Sequence, residues 1–232
     1  MGRFPQPAGT RGSLRWIQHL VNNNPAVLNE AIGIGPIRWR SPMADDQYSE
    51  YRDAAALDRL RIELPKRKLE SFWPARGPQW DALGKAESGE VILLEAKAHI
   101  SEILSPASQA SSTKSAQLIR KSLNETAKAL RATPGTDWSR RFYQYANRLA
   151  HAHLLQKLNG IPTRLVFLYL IGDKDMNGPE NRREWEAALA VLHEALGIRG
   201  RLPKYVSEVF IDIRTSLPSV DRSEVRELNY VK

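Results

Sequence analysis

Glu95-Ala96-Lys97 closes the apolar run Val91-Ile92-Leu93-Leu94, and Asp81 stands fourteen residues before Glu95. Two carboxylates with a lysine beside them can hold a divalent cation, activate a water and neutralise a phosphate. Of all the acids in the chain, only Glu95 has a lysine two positions on. Side chains alternate across a strand, so Leu93, Glu95, Lys97 and His99 share one face and Ile92, Leu94, Ala96 and Ala98 the other. The second face is wholly apolar. Charged groups on an otherwise buried strand are costly unless paired or metal-bound, so the end of this strand is expected to open on a cleft.

The elements around these residues must bring Asp81 to Glu95. Gln79–Leu83 and Val91–Ala98 read as strands joined by a turn containing Gly84 and Gly89, a hairpin. With the turn centred near Glu87, Asp81 lies opposite Leu93 and diagonal to Glu95, at about 7–8 Å. That spacing lets Asp81 and Glu95 grip one Mg²⁺ (Mn²⁺ is the alternative), with waters in the remaining positions. A slip of one residue would turn Asp81 to the wrong face. A helix is expected over residues 45–64, with Leu57, Leu60 and Leu64 as its stripe, and a short strand over 69–73. Further helices are expected over 115–132, over 138–158 with Asp137 as its cap, and over 182–196. Buried strands are expected over 163–171 and 206–213. Helices over 14–22 and 25–32, the second opening with Asn24 and Pro25, and an extended segment over 34–40 precede them.

This arrangement resembles the PD-(D/E)xK nuclease superfamily over residues 45–171. The resemblance implies a restriction-endonuclease-like α/β core: a helix, three strands, a helix and a strand in one mixed sheet flanked by helices. It puts a carboxylate on the second strand, here Asp81, and Glu-x-Lys on the third, here Glu95 and Lys97. Trp80 stands where the family usually has proline before the first acid. The resemblance implies metal-dependent hydrolysis of phosphodiester bonds, with DNA the expected substrate. Asp81, Glu95 and the Ala96 carbonyl would hold the metal, and Lys97 would orient the water or neutralise the phosphate. An acid on the first helix often joins such sites. Glu50, seven residues before Leu57, is the better match and Asp53 the rival. Some members carry a Gln on the helix after the third strand. Gln144, Asn147 and His151 line one polar face there, with Gln144 favoured. His99 is a further candidate donor to phosphate, with a satisfied buried histidine as the alternative.

The composition is compatible with this reading without proving it. A chain of 232 residues holds one sizeable domain, and a net charge of +8 favours polyanionic partners only modestly. Cysteine is absent, which excludes disulfides, thiolate metal sites and cysteine nucleophiles. The apolar run over 165–171 is too short to span a bilayer, so a soluble cytoplasmic protein is expected. Asp173-Lys174-Asp175-Met176-Asn177-Gly178 with Glu184 matches a written calcium-loop pattern. The strand before it and Glu180 at a normally apolar position make it a polar turn instead. The expected layout is a disordered tail (1–12), an N-terminal helical extension (13–44), the nuclease-like domain (45–215) and a C-terminal tail (216–232). Symmetric cutting of both strands would require two sites, hence a homodimer. Two other functions remain open: a nucleic-acid-binding module without catalysis, and an interaction subunit of a defence or repair system.

Overall fold

The computed structural model describes residues 2–215, so the tail expected over 216–232 lies outside the described residues. In chain order the strands are β1 (Arg3–Phe4), β2 (Ile37–Ser41), β3 (Glu50–Tyr51), β4 (Ala82–Ala86), β5 (Val91–Lys97), β6 (Thr163–Ile171) and β7 (Val206–Asp212). The helices are α1 (Gly12–Asn22), α2 (Pro25–Ile32), α3 (Asp53–Leu60), α4 (Thr113–Ala129), α5 (Tyr143–His153) and α6 (Arg182–Ala195). Five strands form one mixed sheet in the order β2-β4-β5-β6-β7. β2, β4 and β5 run antiparallel in turn, and β5, β6 and β7 run parallel. The chain is therefore an α/β protein with a mixed sheet between helices.

The alternation of side chains divides the core in two. Leu83, Leu93, Leu165, Phe167 and Tyr169 face α3, α4, α5 and α6. Ala82, Ile92, Leu94, Val166 and Leu168 face α1 and α2, whose Trp16, Leu20 and Leu28 cover them. Burying each large apolar side chain is worth about 1.5–3 kcal/mol, so both faces need a helical cover. The residues expected as an N-terminal extension supply that cover, and they also supply the edge strand β2. Gly84 is required where β2 crosses β4: a Cβ there would lie 2.7 Å from Ile37 Cγ2 and 3.1 Å from the Trp39 ring.

The hairpin of β4 and β5 forms, with its register two residues from expectation. Leu83 pairs with Leu93 and Ala82 with Leu94, and Gly89 takes φ +87° in the turn. A shift of two preserves the face, so Asp81 stays on the side of Glu95.

Four expectations are corrected. Residues 2–12 do not float free. β1 pairs antiparallel with β3, the Arg3 guanidinium holds Asp46 at 2.9 Å, and Gly9 N–H donates to Gln18 at 2.7 Å. Proline and glycine there make an ordered loop that needs no regular ladder. The helix over 45–64 shrinks to α3, because Gln47 and Tyr48 both adopt positive φ and Glu50–Tyr51 is taken into β3. Arg61 leaves the helical region at φ +52°, and Pro65 disfavours helix at Leu64. The strand over 69–73 is a 3₁₀ turn over Leu69–Ser71, with Phe72 and Trp73 buried as its anchors. The helix expected from Trp138 begins at Tyr143, after Phe142 at φ +60°. Asp137 binds Ser139 and Arg140 instead of capping it. α5 then widens into a π turn over Leu154–Leu158.

All six tryptophans are buried. Asp173 in the loop after β6 accepts from Trp16 Nε1 at 2.8 Å, and Glu184 accepts from Glu180 N–H and Asn181. Both acids thus serve the packing of a polar turn at the start of α6. Among the described residues, no helix is long and apolar enough to cross a membrane.

Candidate active site

Asp81 sits immediately before β4, and Glu95 and Lys97 occupy the last turns of the pleat in β5. β4 extended by one residue would bring Asp81 level with Glu95, and Asp81 Oδ2 in fact accepts from Ala96 N–H at 2.7 Å. Lys97 Nζ donates to Glu95 Oε1 at 2.5 Å and to Gln144 Oε1 at 3.1 Å. Gln144 comes from the first turn of α5, and its own N–H is held by Ser105 Oγ at 2.8 Å. One turn further along α5, Arg148 reaches the same carboxylate. Its Nε lies 2.7 Å and its Nη2 2.6 Å from Glu95 Oε2. Arg148 also donates to the Gln79 carbonyl at 2.7 Å and to Asn147 Oδ1 at 2.8 Å, and its guanidinium lies 5.0 Å from the Trp80 ring centroid.

Glu50 reaches this cluster from β3, not from a helix. Gln79 Nε2 donates to its Oε2 at 2.6 Å, and Gln6 Nε2 at 3.3 Å. Pairing of β1 with β3 holds Glu50 in place and brings Gln6, two residues beyond β1, within reach of its carboxylate. Glu50 and Glu95 are buried, and Lys97 keeps only 12% of its side chain exposed.

The charges are strongly coupled. Burial and then the Glu95 carboxylate push Asp81 well above the ordinary carboxylate range, against the opposing pull of Lys97. Burial also raises Glu50, with Glu95 adding to it and the Gln79 hydrogen bond opposing. For Glu95 burial acts upward, but Arg148 and Lys97 together hold it below its usual value. Burial lowers Lys97, yet Glu95 and Asp81 outweigh it, so the ammonium is retained. Three carboxylates face two cations, one negative charge in excess. The tension collects on Asp81 and Glu50.

That donor chemistry suits a hard divalent cation. Among the described residues, the hydrogen bonds of Asp81 and Glu50 fall on Oδ2 and Oε2, and an added positive charge would relieve both raised acids. Ala96 lies in extended backbone, where N–H and C=O leave on the same edge, so its carbonyl shares the Asp81 side. The arrangement is nevertheless a tight ion cluster and not the expected open cleft. Beside Glu95, Lys97 and Gln144 the free space is only about 10 Å³. Among the described residues, no three His, Cys, Asp or Glu side chains are arranged to hold a metal. Both oxygens of Glu95 are already taken by Lys97 and Arg148.

The structure therefore brings Asp81, Glu95, Lys97, Glu50 and Gln144 into one constellation and leaves the other candidates outside it. Asp53 accepts from the N–H groups of Arg76 and Gly77, closing a turn. His99 lies beyond β5 and pairs with Ser101 and Glu102. Asn147 supports Arg148. His151 packs against Trp73 with centroids 4.8 Å apart, and burial lowers it to about 3, so it stays neutral. Sequence reasoning missed Arg148 and Gln79. The chain matches no family model, no curated protein and no solved structure.

Proposed function

We propose that the protein is a metal-dependent nuclease of the PD-(D/E)xK kind, hydrolysing phosphodiester bonds, with DNA as the expected substrate. The observation that carries this reading is the convergence of Asp81, Glu95 and Lys97 at the ends of two hydrogen-bonded strands, with Asp81 raised by burial and by the Glu95 carboxylate. The sheet supports it too. The resemblance implies three strands, a helix and a strand in one mixed sheet, and β2, β4, β5, α5 and β6 follow that order once β2 replaces the strand expected over 69–73. In this alignment the first strand and helix come from before residue 45.

Asp81, Glu95 and the Ala96 carbonyl would hold Mg²⁺ or Mn²⁺, and Glu50 would add negative charge beside them without ligating. When bound, the metal supplies Lewis acidity toward the phosphate and a lowered pKa for water. Hydrolysis adds one water across the bond: its oxygen joins phosphorus, the bond to one sugar oxygen breaks, and that oxygen takes up a proton. Lys97, kept charged by Glu95 and Asp81, places its ammonium where negative charge grows on the phosphate. Gln144 fixes that ammonium from the opposite side. Arg148 and Lys97 together balance Glu95, and the helix that carries Arg148 positions Gln144 as well.

Purified protein should cut plasmid, linear duplex, single-stranded DNA or RNA in Mg²⁺ or Mn²⁺ and not in EDTA. Asp81→Asn preserves shape, removes one carboxylate and should abolish cutting. Equal activity of a folded Asp81→Asn protein would sink the assignment. Glu95→Ala is the poorer probe, because it strands the buried Arg148. The engagement of both Glu95 oxygens favours one rival, a nucleic-acid-binding module without catalysis. That rival predicts metal-independent binding by wild type and by Asp81→Asn, with no cutting by either.

A further inference from the structure

A groove of about 530 Å³ runs between the loop that follows β5, the middle of α4 and the turn before α5. Arg120 enters it from α4, and Arg140 and Arg141 from the turn. The one acid in its lining, Asp137, is already bound by Ser139 at 2.6 Å and Arg140 at 3.1 Å. Arg120 and Arg141 are exposed and make no ion pair among the described residues. The buried Ser108 hydroxyl lies near that of Tyr143 but completes no hydrogen bond with it. Three guanidiniums around one groove repel each other, and an anion along its floor would relieve the repulsion.

A chain of hydrogen bonds ties the groove to the ion cluster. Ser105 lines the groove and accepts from Gln144 N–H at 2.8 Å, while Gln144 Oε1 accepts from Lys97 at 3.1 Å. Ser105 thus sits between the rim of the cluster, where Lys97 keeps 12% of its side chain exposed, and the arginines, so a strand lying in the groove would run beside that rim. Guanidinium forks suit phosphate oxygens, and a row of them suits a repeating phosphodiester better than a single anion.

We infer that this groove is the track of the nucleic-acid strand, with Arg120, Arg140 and Arg141 binding the phosphates on one side of the bond to be cut. The place of the cut bond rests on the nuclease reading; the groove's charge and its hydrogen-bond link to Lys97 do not. The chemistry recognised is the phosphodiester backbone, which single-stranded DNA, duplex DNA and RNA all present.

The test is fluorescence anisotropy of wild type with labelled single-stranded DNA, duplex DNA and RNA in EDTA, over a range of salt. It is repeated with Arg120→Ala/Arg141→Ala, whose exposed positions leave the core untouched. Each lost phosphate contact reduces the slope of log K against log salt by about 0.9 on duplex or about 0.7 on single strands. The double variant should thus lose a slope of roughly 1.8 on duplex or roughly 1.4 on single strands and bind at least about tenfold more weakly at low salt, and the probe that wild type binds most tightly names the strand type. A control comes from the other end of β5 and β6, where a second basic cleft of about 700 Å³ carries Lys157, Arg164 and Lys204. Lys157→Ala/Lys204→Ala should keep the wild-type slope. The inference is overturned if the arginine variant binds like wild type, if the control loses as much, or if wild type binds none of the three nucleic acids. A wild type that binds through the arginines yet never cuts in Mg²⁺ overturns the nuclease reading alone.

Discussion

Replacing Arg148 by Met tests whether Glu95 is held by a buried ion pair or merely lies beside one. The guanidinium is 4% exposed and the carboxylate 2%, so water cannot replace a lost partner. Met keeps the aliphatic stem but forfeits both contacts to Glu95 Oε2, the bond to the Gln79 carbonyl and the stacking over Trp80. Removing one member of a buried pair typically costs about 3–5 kcal/mol, because the other charge is left uncompensated. Lys97 still holds Glu95 Oε1, which argues for the lower half of that range. At about 2–4 °C per kcal/mol for a domain of this size, the melting temperature should fall by roughly 6–16 °C in EDTA at neutral pH. The charge account makes a second demand. In Arg148→Met/Glu95→Gln the stranded anion is gone, so the double variant should be more stable than the sum of the two single losses predicts. A coupling of at least about 1 kcal/mol in urea denaturation is expected for residues in direct contact. Additive single effects, or an Arg148→Met protein within about 1 kcal/mol of wild type, would refute the reasoning and leave Glu95 as an acid that tolerates burial unaided.

Two further outcomes follow from the same cluster and from the helix beside it. Asp81 has a raised pKa in the folded chain, so it favours folding below its unfolded value of about 3.9 and that contribution is lost as pH rises through the folded value. Asp81→Asn should therefore melt higher than wild type at pH 7 in EDTA, converge with it in acid, and lose any upward shift that Mg²⁺ gives wild type. A variant that melts lower at pH 7, or that keeps the Mg²⁺ shift, contradicts this. His151 is lowered to about 3 by burial, so the unfolded chain binds its proton first as pH falls below about 6.5. Wild type should lose up to about 1.4 kcal/mol per pH unit relative to His151→Leu between pH 6 and 5, and parallel stability profiles would show that the ring takes its proton in the folded state.

Much of the frame was legible because burial writes itself as alternation. The continuous apolar run of β6 and the odd–even division of β5 each have one physical reading, and both strands stand at the expected residues. Asp81 reached its partner despite a register two residues off, since only parity decides the face. The region before Asp81 was opaque for a different reason. The stripe of Leu57, Leu60 and Leu64 is genuine, but it says nothing about where a helix begins. Pairing of Arg3 with Tyr51 and of Phe4 with Glu50, far apart in sequence, took Glu50 and Tyr51 into a strand. Long-range pairing leaves no local periodicity, so the disorder expected over 1–12 and the helix expected from 45 were one error seen from its two ends.

Arg148 was missed by a choice of spacing, and a charge argument would have found it. Gln144, Asn147 and His151 satisfy i, i+3 and i+7, but the residue one turn above Gln144 is equally Arg148 at i+4. The stronger signal is that Tyr143–His153 carries a cation on a helix that must cover the sheet. A buried guanidinium requires an acid, and Glu95 is an acid on a strand whose neighbours are apolar. Each therefore identifies the other. Lys97 alone does not meet the need, because it sits at the rim and is shared with Gln144 and Asp81. The same reasoning explains why the site is closed around its own ions. Glu95 takes its compensation from Arg148 on one oxygen and Lys97 on the other, so any cation that draws on Glu95 must compete with them.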